Sequence, residues 1–197
     1  MTDSNQQRPT LIAALTHMNL QEWPVKPVGL PPQSAVCDVY AKTDLADAYA
    51  IRLPDHASGD PELLARFIFS QQASWVATLM RVRDIAVAGF GLKTSDQLKA
   101  SPATGAAERI YIFRIFTRSP LEVIMGEDDK HLDFRVSVLL QVRNEAPEPT
   151  RYLIVSTVVT CHNLLGRTYI ALIAPFHRLI VQSGLRRAAR AGWPSGS

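Results

Sequence analysis

Alternation along the segment that begins at His131 sets three ionisable side chains in one row. His131, Asp133 and Arg135, followed by Ser137, point to one face of a strand, while Leu132, Phe134, Val136 and Val138 point to the other. Facing a cavity, the row is equipped for proton transfer, because Asp133 can orient the imidazole of His131. Facing solvent, it is an ion-pair ladder on the wet side of an antiparallel sheet. Spacing alone admits both readings, and Asp128 and Asp129 just before it read as turn acids.

His177 is the second candidate. It lies close in helical angle to Ile170, Ile173 and Val181, so its ring points where apolar side chains point. A histidine in that position is either a core residue bonded to a backbone carbonyl or hydroxyl, or a polar anchor in a pocket wall that orients a ligand carbonyl or hydroxyl. Pro175 removes a backbone bond and crowds the turn before it, and a kink there would make room for a ligand. Arg83, beside Asp84, belongs either to a solvated helix edge or to an inward guanidinium that pairs a ligand carboxylate or Asp133. Trp75, Phe113, Phe116, Phe134 and Tyr169 offer aromatic surface that suits a hydrophobic cavity and a plain core equally.

Several chemistries have no motif to carry them. The chain has no G-x-S-x-G elbow, glycine-rich phosphate loop, dinucleotide fingerprint or H-E-x-x-H helix. Cys37 and Cys161 show neither a disulfide framework nor metal-ligand spacing and read as reduced thiols. A metal would have to gather His131, Asp133, His162 and His177 from separate elements, so neither a metal nor a cofactor is expected.

Elements must position these residues, and 197 residues with 47% hydrophobic content suffice for one domain with a substantial core. Residues 1–34 read as a Pro-rich arm, in which Pro24, Pro27, Pro31 and Pro32 prevent a helix or central strand from Trp23 onward. The domain proper covers 35–191, and 192–197 is expected to be a loose tail. Alternation predicts a strand over Asp47–Leu53. Asp60-Pro61 then reads as an N-cap with proline at the first helical position, opening a helix to about Ser70. A second helix is expected from Ala73 to about Val87, followed by a polar loop over 93–108. Four strands follow over Ile110–Arg118, Leu121–Met125, His131–Val142 and Arg151–His162, joined by turn signals suited to antiparallel hairpins. A long apolar helix closes the chain over Leu164–Arg190.

Helices segregated from an antiparallel sheet place the chain in the α+β class. The element order is that of a helix-grip fold, in which a curved antiparallel sheet wraps a long C-terminal helix, here with two short helices after the first strand. The segments Trp75-Val76 with Arg83-Asp84, Phe90-Gly91-Leu92-Lys93, Asp129 through Arg135, Ser156 through Val159, and Gly166 through Tyr169 with Pro175 through Arg178 resemble the family catalogued as domain of unknown function 2867. The resemblance covers roughly residues 28 to 190 and implies no established reaction. It implies an architecture similar to START-like and polyketide-cyclase-like proteins, which mostly bind apolar or aromatic small molecules.

The charge of +3 gathers near the end, at Arg178, Arg186, Arg187 and Arg190, with Trp193 as the sole neighbouring aromatic. That suits a helix C-terminus better than a nucleic-acid surface, and no specific nucleic acid is expected. The longest apolar run, Tyr169–Phe176, falls short of the roughly 20 residues of a membrane span, and Leu11–Leu15 is too short for a signal core. A cytoplasmic protein without a membrane span is the expectation; oligomeric state is left open.

Function is then read in three ways. The leading one is a module holding an apolar or aromatic small molecule between sheet and C-terminal helix, with Trp75, Arg83, Phe113, Phe134, Arg135, Tyr169 and His177 as lining residues. It requires a cavity of at least about 300 Å³. The second is a cyclase- or hydratase-like enzyme using His131 with Asp133, or His177, as acid and base, which requires an imidazole opening into that cavity beside a carboxylate. The third is an interaction domain with a filled core.

Overall fold

Short turns between long alternating segments dictate antiparallel pairing, and seven strands join in the order β1-β2-β7-β6-β5-β4-β3. The computed structural model describes residues 24–71, 108–145 and 148–196. The strands are β1 (Lys26–Val28), β2 (Leu45–Arg52), β3 (Arg109–Ile110), β4 (Phe113–Arg118), β5 (Glu122–Asp128), β6 (Leu132–Arg143) and β7 (Thr150–Cys161). Helix α1 (Pro61–Ser70) follows β2, a 3-10 turn (Ala35–Asp38) precedes it, and α2 (Leu164–Ala191) closes the chain. The class is α+β, with the long C-terminal helix packed against the sheet. The sheet is open, with β1 and β3 at its edges, and does not close into a barrel.

Both helix starts follow from their caps. Asp60 accepts a hydrogen bond from the Glu62 amide at 2.8 Å with Pro61 opening the helix. Asn163 accepts from the Gly166 amide at 3.0 Å. The expected strand over 110–118 divides at Tyr111, whose φ of 57° takes the chain through the left-handed region between β3 and β4. The expected helix over 73–87, with Trp75 and Arg83, lies outside the described residues.

Two expectations about the ends change. Within the stretch read as an arm, β1 pairs with β2, Lys26 opposite Ala50 and Val28 opposite Ala48. Pro27 lacks an amide donor, which a sheet edge tolerates and a central strand does not. The tail expected to be loose is held down. Trp193 is buried, its ring 6.1 Å from that of Phe67. Ser195 bridges Ala57, and the Ser58 amide donates to the Pro194 carbonyl at 2.7 Å. A buried indole outweighs the small, polar character of the residues around it.

Both sheet faces carry packing. Toward the helices, Tyr49, Ile51, Val123, Met125, Val136, Val138, Leu153 and Val155 pack with Leu64, Ala65 and Ile68 of α1 and with Leu185 and Ala188 of α2. On the far face, Val36 of the 3-10 turn packs with Ile124 and Val158. Buried Glu122 ties that turn down, accepting hydrogen bonds from the Ser34 and Ser137 hydroxyls and from the Ala35 amide at 3.1 Å. A carboxylate with three donors is satisfied despite its burial.

Candidate functional site

The register of β6 decides which side chains can share a site. Leu132, Phe134 and Val136 face the helices, and Phe134 and Val136 pack on the core beneath them. Strand alternation therefore turns Asp133, Arg135 and Ser137 to the far face. There Arg135 pairs with Asp128 at 2.7 Å and lies 3.5 Å from the centre of the Phe116 ring. Arg135, expected as a lining residue, is thus a far-face cation. The expected His131–Asp133 pair does not form either. Asp133 meets the His162 ring nitrogen Nε2 at 3.1 Å, while His131 Nδ1 accepts from the Asn163 side-chain amide at 3.0 Å beneath the start of α2. Apolar side chains won the covered face of β6, and the ionisable row went to the other.

A recess of about 240 Å³ lies between the helix-facing side of the sheet and α2. It is smaller than the cavity of about 300 Å³ expected for a binding module. Phe113, Phe134, Tyr169 and His177 all line it. Phe113 stands edge-on to Phe69 and Phe134, with ring centres 5.4 and 5.5 Å away. Val155 and Val159 of β7 and Ile173 and Ile180 of α2 complete an apolar wall.

Glu127 and Asp129 line the recess at the end of β5, and a second polar group enters the wall from α2. His177 Nε2 lies 3.3 Å from Asp47 Oδ1, and Arg178 Nε lies 3.7 Å from Asp47 Oδ2. Asp47 sits opposite Thr157 in the β2–β7 register, and Thr157 lines the recess. The Thr157 hydroxyl and Asp47 Oδ2 are buried and make no hydrogen bond among the described residues. Tyr49, two residues along the same face, hydrogen-bonds Gln182, and burial, reinforced by the Asp47 charge, pushes its phenol pKa up. His177 is therefore neither a core histidine bonded to a carbonyl nor a lone anchor. It is half of a histidine–carboxylate pair.

Asp47, Thr157 and Gln182 were not singled out from the sequence. For Asp47 the signal was present: it falls in phase with Tyr49, Ile51 and Leu53, so an acid stands on an otherwise apolar strand face. Among the described residues no group of three or more His, Cys, Asp or Glu side chains is placed to hold a metal.

A family model matches residues 39–184, from just before β2 to the last third of α2. The chain belongs to the DUF2867 family. The family is described as a protein of unknown function, so membership carries no reaction with it. No curated protein and no solved structure matches the chain. In this DUF2867 chain the matched span contains Asp47, Thr157 and His177 and all the described lining of the recess except Leu185.

Proposed function

We propose that the chain holds a small apolar ligand in the recess between sheet and α2, with the Asp47–His177 pair and the Thr157 hydroxyl as its polar anchor. The observation that carries this reading is a buried oxygen of the recess lining, Thr157 Oγ1, left without a hydrogen bond among the described residues beside the apolar wall and the Asp47–His177 pair. Leaving such a group unpaired costs on the order of 1–3 kcal/mol, which a ligand hydroxyl or amine would recover. An apolar wall with few convergent polar groups is the usual composition of a small-molecule site, and a volume of about 240 Å³ favours a compact ligand. The long helix across an open antiparallel sheet resembles the helix-grip architecture, whose members mostly bind apolar or aromatic molecules; that support is analogy of fold. A reducing compartment such as the cytoplasm fits the same reading, since Cys37 and Cys161 are free and burial pushes both thiol pKa values up.

A fluorescence titration with N-phenyl-1-naphthylamine tests it. Saturable binding that weakens about tenfold in His177→Leu, with far-UV circular dichroism showing the variant folded, is the expected result. Equal affinity in the two proteins removes the anchor from the account.

One observation favours an acid–base reading beside it. The imidazole at the recess already engages a carboxylate through Nε2, leaving Nδ1 as the nitrogen that could exchange a proton with a substrate. Such an enzyme, of the cyclase or hydratase kind, would lose turnover in Asp47→Asn while retaining ligand affinity; loss of affinity alone identifies a binding protein.

A further inference from the structure

The outward face of α2 is apolar, although its inward face already serves the core. Leu164, Leu172 and Leu179 are 77%, 67% and 56% exposed, and Phe176 at the rim is 45% exposed. With Thr168 and Pro175 they fall at helical spacings of three and four, forming one stripe along the first two thirds of the helix. Arg186 and Arg190 continue the same stripe toward the C-terminus. The helix has no acidic residue; its charges are Arg167, Arg178, Arg186, Arg187 and Arg190. Arg167 and Arg178 lean back onto Asp44 and Asp47, whereas Arg186, Arg187 and Arg190 form no ion pair among the described residues.

By length and composition the helix is apolar enough to cross a bilayer, with a mean hydropathy of 1.3 over its most apolar window, of which 11% is buried. The interrupted run Tyr169–Phe176 concealed this, because counting stopped at His177 and Arg178. In this fold, however, Gly166, Leu185 and Ala188 are buried and His177 is tied to β2 through Asp47. The helix therefore lies along the sheet with one side left uncovered by the described residues.

We propose that α2 docks the protein on an anionic lipid surface, its leucine stripe entering the acyl boundary and its C-terminal arginines meeting the headgroups. A helix apolar on one side and cationic at its edge binds the membrane interface in its plane. The arginine cluster is complementary to anionic headgroups. A second copy of the chain is a poorer occupant, because it would set one wholly cationic helix against another. This proposal does not depend on the recess.

Flotation of the full chain with phosphatidylcholine vesicles, with and without phosphatidylglycerol, tests it. The protein is expected to float with the anionic vesicles and to sediment with the neutral ones. Leu172→Asp with Leu179→Asp is expected to reduce flotation at least about tenfold. Arg186→Glu with Arg190→Glu is expected to abolish the response to phosphatidylglycerol, and far-UV circular dichroism checks that both variants fold. No flotation, equal flotation with neutral vesicles, or undiminished flotation of the leucine variant overturns the proposal. A dimer in light scattering that the leucine variant splits, with vesicles ignored, would also overturn it and assign the stripe to a second copy. Capture of an acidic protein without lipid binding would do the same in favour of a protein partner.

Discussion

Asp47 is the residue on which the site turns, because it places a charge on the sheet face that α2 covers and meets that charge with His177 and Arg178. Removing the carboxylate strands the imidazole, so Asp47→Ala is expected to cost about 1–3 kcal/mol in urea unfolding. The sequence showed His177 on an apolar helix face but not its partner, since contact between residues 130 apart depends on how α2 lies over β2. On the far face Tyr40 gives a pH signature. Burial is the main cause that pushes its phenol pKa from 10.0 up to about 12, with Asp133 and Asp128 adding to it and Arg135 opposing. A pKa raised in the folded state means that the native protein holds the proton more tightly. Its contribution is complete below about pH 10 and is lost as pH rises toward about 12. Stability to urea should accordingly fall less steeply between pH 8 and 12 in Tyr40→Phe than in the natural chain.

Among elements, α1 is fastened to the sheet by Glu62, which accepts from Arg66 on its own helix and from Arg118 of β4 at 2.7 Å each. The Arg118 hydrogen bond, ahead of that from Arg66, holds the carboxyl pKa below its usual value. A depressed pKa contributes stability above the unfolded value and loses it as pH falls through the folded one. Glu62→Gln is therefore expected to cost about 0.5–1 kcal/mol at pH 7 and nothing at acid pH where Glu62 is protonated. The start of α2 rests on Gly166, where an added Cβ would stand 2.2 Å from the His131 carbonyl oxygen. Because that obstacle is backbone, Gly166→Ala should lower the melting temperature by several degrees, equivalent to about 1–3 kcal/mol. Most elements were legible because their signals are local. Asp60-Pro61 announced the start of α1, and alternation located the long strands. The inward face of β6 was harder to read functionally, since both faces of its sheet are packed. A polar row on such a strand reports neither solvent nor cavity. Strand β1 escaped notice because three residues containing a proline look like loop until a neighbouring strand is known.

For the molecule as a whole, the recess depends on a helix held at both ends: Gly166 and Asn163 seat its start, and Trp193 anchors the chain just past its finish. Trp193→Ala should cost about 3–5 kcal/mol and loosen ligand binding without touching the recess. The proposal that the recess holds a small apolar molecule ties these residues together. Native followed by denaturing mass spectrometry of the freshly purified protein tests it most directly, run beside Ala174→Trp, which places an indole at a lining position of α2. A reproducible extra mass that is released on unfolding and is missing from the folded variant is the expected result. An extra mass retained by the variant, or no extra mass together with no thermal response to a panel of fatty acids, sterols and small aromatics, would contradict it.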